Sequence, residues 1–116
     1  MAALRNVAYT AMRTQQVASW FMEIRDDVGA AVLRVDSSDP RLTVGDDDGT
    51  DTVTFTLVLA GDDAEISLPE TVESSVLFDL GAGGNQMTEV EAFTPFTLGD
   101  PADQVTIVHT VTLPAP

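Results

Sequence analysis

Turn-forming residues interrupt this chain about every ten positions, and the stretches between them have the length and composition of strands. The punctuation is Ser37-Ser38-Asp39-Pro40, an Asp- and Gly-rich loop ending at Asp51, Pro69, Gly81-Ala82-Gly83-Gly84 and Gly99-Asp100-Pro101. Between these marks, strands are expected at Ala31–Asp36, Leu42–Gly45, Thr52–Ala60, Glu65–Leu68, Ser75–Leu80, Glu89–Phe93 and Gln104–Leu113. Fourteen Val and 14 Thr favour the same state, because β-branched side chains fit a pleated surface. Seven or so short strands predict an antiparallel β-sandwich, immunoglobulin- or jelly-roll-like, with hairpins dominating. At 116 residues, one domain spanning 1–116 is expected.

The start of the chain has a different period. Leu4, Val7, Ala8, Ala11 and Met12 recur at three- and four-residue intervals, which predicts a short helix over about residues 3–15. Val17 to Arg25 alternates instead, with Ala18, Trp20, Met22 and Ile24 on one side, and is expected to be a strand. Phe21 breaks the alternation and suggests burial on both faces.

Nineteen acidic residues, 13 Asp and six Glu, face five Arg and no Lys, for a net charge of -14. Such a surface repels itself in dilute buffer, whereas at 1 M salt the Debye length falls to about 3 Å. A nucleic-acid mimic or a calcium-loaded extracellular module also concentrates carboxylates, but neither requires the loss of every Lys; the composition is that of a halophilic protein. No basic stripe is present to neutralise phosphates, so nucleic acid is not an expected partner. Without Cys there are no disulfides or thiolate metal sites. No apolar run suits a secretory signal or a membrane span, so neither export by that route nor membrane insertion is expected. Residues 1–41 hold all five Arg against five acids, while residues 42–116 hold 14 acids and no base. In an oligomer, the neutral part would sit against a neighbour and the acidic part would face brine.

The carboxylates of Asp46-Asp47-Asp48-Gly49-Thr50-Asp51, with Asp62-Asp63 expected at the same end of a hairpin, invite a cation site. Asp46, Asp48 and Asp51 are its candidates, for Ca, Mg, Na or K. An EF-hand would need a closing Glu where Leu57 stands, so the spacing fails and a solvated hairpin tip is the plainer reading. No other cofactor is expected. The lone His109 shares a strand face with Val105, Ile107, Val111 and Leu113, as a core or interface histidine would. No Ser sits in a G-x-S-x-G turn, and among 19 acids a glycosidase-like pair carries no signal, so no catalytic residue is expected. Gly81-Ala82-Gly83-Gly84 has no Lys or helix behind it and reads as a turn rather than a phosphate cradle. Trp20, Phe93 and Phe96 offer either core packing or a sugar-stacking platform.

The order of these pieces resembles the short tail-fibre-like structural proteins of tailed viruses. LRNVAYTAM, VASWFMEI and SSDP are similar to the family's opening helix, strand and Asp-Pro turn. ISLPETVESSVLFDLGAGGN is similar to its strand, aromatic-Asp pair and Gly-Gly turn, with Phe78 before Asp79 where many relatives have Trp. FTLGDPADQVTIVHTVTLP resembles its closing strand. The family implies no catalytic residues. Joined to the salt signature, the resemblance implies a non-enzymatic virion protein of a tailed virus infecting haloarchaea. It would be made in the host cytoplasm and form a homo-oligomeric appendage bound to capsid or tail proteins: a tail fibre or baseplate component, or a capsid turret or decoration protein. The alternative is a halophilic carbohydrate- or cell-surface-binding module whose partner is a host glycan.

Overall fold

The computed structural model describes residues 2–46 and 52–113. A helix, α1 (Asn6–Ala18), precedes strands β1 (Phe21–Asp26), β2 (Ala31–Val35), β3 (Leu42–Asp46), β4 (Thr52–Ala60), β5 (Glu70–Phe78), β6 (Glu91–Leu98) and β7 (Gln104–Thr112). The strands form two antiparallel sheets, one ordered β2-β1-β5-β6 and the other β3-β4-β7. The protein is mainly β, and its two sheets share one apolar core in a sandwich-like arrangement.

Strand β4 shows why the sheets face each other. Val53, Phe55, Leu57 and Leu59 alternate with Thr, Val and Ala, and these four side chains are completely buried. Each contributes about 1.5–3 kcal/mol by leaving water. Met22 and Ile24 from β1, Leu33 from β2, Val72 and Leu77 from β5, and Leu98 from β6 meet them from the other sheet. Val17 and Trp20, at the end of α1 and just after it, complete the same core.

Several boundaries differ from the sequence expectation for physical reasons. The helix runs to Ala18 rather than stopping near residue 15, because Val17 is drawn into the core. The strand expected from Val17 therefore begins at Phe21, after the Ser19 and Trp20 amides bond back to Gln16 and Val17 and close the helix. In β1 the residue buried on the second face is Glu23 instead of Phe21. Glu65–Leu68 forms no strand; its Ile66 amide turns back to the Asp63 carbonyl, and Arg41 grips Glu65 at 3.0 Å. β5 begins at Glu70, after a cis Leu68–Pro69 bond, and stops at Phe78. There Asp79 accepts the Asn85 amide at 2.7 Å, and Gly83 and Gly84 take positive φ of 63° and 77°. A Cβ on Gly84 would lie 2.5 Å from Asp79 Oδ1, so the turn needs glycine there. β6 begins at Glu91 and passes through Pro95 to Leu98. Proline is tolerated because β6 is an edge strand and its ladder with β5 is already irregular between Val72 and Ser74.

The molecule measures 58 × 23 × 23 Å. Residues 2–8 are all exposed, so the first part of α1 stands away from the body.

Candidate functional site

His109 joins the two sheets. It sits on β7 opposite Phe55, is 2% exposed, and its Nδ1 lies 2.8 Å from Ser75 Oγ on β5 of the other sheet. Its Nε2 lies 3.2 Å from Thr88 Oγ1, and Glu91 Oε2 is 3.4 Å from Nδ1. Thr88 gives its proton to the Glu89 carbonyl and accepts the Leu77 amide, so it is placed to accept Nε2–H as well. Nδ1 is then free to accept the Ser75 hydroxyl proton. The Ser–His pairing resembles a nucleophile and its base, but Ser75 has no exposed surface. Its chemistry is that of a polar link holding two sheets in register. The sequence offered His109 as a core or interface residue, and the structure puts it in the core; the sequence did not reveal Ser75, because a contact across 34 residues depends on how the sheets stack.

Burial depresses the His109 pKa below its ordinary 6.5, and Glu91 offsets this in part. The folded state therefore binds a proton less readily than the unfolded chain. This contribution to stability is whole above pH 6.5 and is lost as pH falls from there to the folded pKa. In a melting series from pH 7.5 to 5.5, wild type should lose midpoint temperature and His109→Gln should lose less; equal slopes would remove His109 from the account.

Elsewhere Arg25, Arg34 and Arg41 are engaged with carboxylates. Glu23, 5% exposed, accepts from Arg25 Nε at 2.8 Å and from Arg34 Nε and Nη2 at 3.0 and 2.9 Å. The Arg34 guanidinium lies 3.7 Å above the Phe78 ring, and its Nη1 donates to the Leu80 and Gly83 carbonyls. That clamp pins the Gly-rich turn to β2, giving Phe78 and the turn a structural role. Arg41 binds Asp39, Asp63 and Glu65. Its hydrogen bonds hold the Asp39 and Glu65 carboxyls below the usual range.

Asp48 and Asp51 lie outside the described residues, and Asp46 ends β3. Asp62-Asp63 does not stand beside Asp46: Asp46 pairs with Val53 at the start of β4, and the Asp pair follows Ala60 at its other end, about 26 Å along the strand from Thr52. Asp63 instead accepts the Ala60 amide and faces Arg41. Among the described residues no three acidic, His or Cys side chains are arranged to hold a metal. Trp20 and Phe96 do not form one platform, since Trp20 is in the core and Phe96 is 38% exposed.

Among the described residues, apolar surface is left uncovered at α1 and between β6 and β7. On α1, Thr14 and Val17 face inward, while Val7 and Met12, and Leu4 just before the helix, are 67, 54 and 58% exposed. The apolar stripe legible in the sequence is thus left uncovered: Val7, two turns before Thr14 on the same face, lies where the helix extends beyond the body, and Met12 faces away from it. The second surface is a groove of about 410 Å³ between β6 and β7, lined by Phe93, Pro95, Phe96, Val105, Ile107 and Val108. Comparison with protein-family models, curated proteins and solved structures finds no match.

Proposed function

We propose that this chain is a non-enzymatic structural protein of a virion, from a tailed virus of a halophilic host, that acts by assembling with copies of itself into a surface appendage. The observation that carries the assembly part is α1, whose apolar stripe is exposed on a segment standing away from the body. Exposed apolar surface of this kind is a protein-contact surface. The virion and halophile parts rest on the resemblance of the turn and strand motifs to tail-fibre-like proteins and on 19 acids without a Lys. An immunoglobulin- or jelly-roll-like single domain fits that role, with capsid or tail proteins as further partners. In such an assembly the acidic surface faces brine and the apolar faces meet neighbours.

A second reading, a halophilic carbohydrate- or cell-surface-binding module, is favoured by Phe96, whose ring is exposed next to Pro95. The two are separated by gold-labelled antibody against this chain on particles of the virus that encodes it. Label at tail ends marks a fibre or baseplate component, and label around the head marks a turret or decoration protein. Particles without label would overturn the virion reading and leave the binding module.

A further inference from the structure

The geometry points to a head-to-tail contact in which α1 of one copy lies in the β6–β7 groove of the next. This deepens the assembly part of the proposed function and does not depend on the virion part.

The helix is poorly provided for on its own. Arg5 at its N-cap makes no side-chain cap, and its first turn carries no acid and its last turn no base. A 13-residue helix closed only at its C-terminal end, by Ser19, is marginal in water unless its apolar face is packed. Only its C-terminal part is packed on its own body, against β3 and β4. The rest requires a partner, and its own groove is badly placed to serve: α1 sits by β3 and β4, while the groove lies on β7, across β4 from β3.

Charge selects the groove of another copy over a second α1. Residues 2–22 carry Arg5 and Arg13 and no carboxylate. Two such helices side by side would bring like charges together with no opposite partner. No carboxylate lines the groove itself, but acids flank its lining along the chain: Glu91 stands two residues before Phe93 on β6, and Asp100 and Asp103 lie in the turn between β6 and β7. Among the described residues, Arg5 and Arg13 form no ion pair, whereas Arg25, Arg34 and Arg41 all do. The dimensions also agree. Val7 to Met12 spans about 8 Å at helical rise, and Phe93 to Phe96 about 10 Å at strand rise. Because the two surfaces differ, the contact is heterologous, and repetition closes a ring or extends a filament.

The test uses two exposed sites that leave the core intact, Val7→Asp in the stripe and Phe96→Asp in the groove, with circular dichroism confirming the fold. In sedimentation at molar KCl, wild type should form multimers and each variant alone should be monomeric. An equimolar mixture should form a two-copy species, because the intact helix of the Phe96→Asp chain meets the intact groove of the Val7→Asp chain. Multimers of Phe96→Asp alone would overturn the contact in favour of helix-to-helix packing. A mixture that stays monomeric would show that the two surfaces do not meet. A monomeric wild type would overturn the contact and self-assembly together, and particle labelling would still decide the virion reading separately.

Discussion

Glu23→Ala is expected to destabilise the protein by about 3 kcal/mol, the lower end of the range for breaking a buried ion pair. Near this chain length that is a fall of roughly 12 °C in unfolding midpoint. Glu23 is 5% exposed and holds two guanidinium groups by three hydrogen bonds. Removing it leaves two positive charges at the middle of a four-stranded sheet. The lower end applies because neither Arg is stranded: Arg25 reaches water, and Arg34 keeps the Leu80 and Gly83 carbonyls and the Phe78 ring. Glu23→Gln, which retains one acceptor, should recover part of the loss. A fall below 2 °C for Glu23→Ala would mean that the pairs do not stabilise the fold.

That cluster also marks the limit of what the sequence made legible. The alternation that buries Met22 and Ile24 on one face of β1 was readable from period alone, as was β4 from Thr52 to Ala60. The burial of Glu23 was not, because it depends on Arg34 arriving from β2 and on Phe78 arriving from β5, a strand almost 50 residues further on. The same reason hid Ser75 behind His109. Local period also misjudged the join after α1: Val17, Ala18 and Trp20 fit a strand as well as a helix end, and the core's demand for Val17 decided it. The stripe on α1 was the opposite case. Its periodicity was correctly read as helical, yet an apolar face ordinarily implies a core beneath it, and here the fold leaves it uncovered. The aromatic-Asp and Gly-Gly motif was legible as a turn, and the structure adds its mechanism: Asp79 accepts the Asn85 amide, and Gly84 occupies space that a side chain would need.

The unfolding midpoint should rise steeply between dilute buffer and molar KCl, and by more than any single surface substitution achieves. The net charge of -14 is carried on 12.3 kDa, with Arg25, Arg34 and Arg41 already committed to partners within the body. What remains is a surface of carboxylates repelling one another over about 10 Å at 0.1 M salt, a range cut to about 3 Å at 1 M. Glu70 reports this locally. Its pKa is raised by burial first and then by the charges of Asp26 and Asp27. A carboxyl whose folded pKa is raised costs stability while ionised, and that stability returns as pH falls through its folded pKa. Glu70→Gln should therefore raise the midpoint at neutral pH in dilute buffer. In molar KCl the gain should shrink without vanishing, because salt screens Asp26 and Asp27 but does not rehydrate a partly buried carboxylate. The Glu23→Ala deficit should largely persist at both salt concentrations, since Glu23 is buried and partly buried pairs are screened far less than exposed ones. A wild-type midpoint independent of salt would sink the halophilic reading. A Glu70→Gln gain unchanged by salt would assign the cost to burial alone and leave repulsion no part in it.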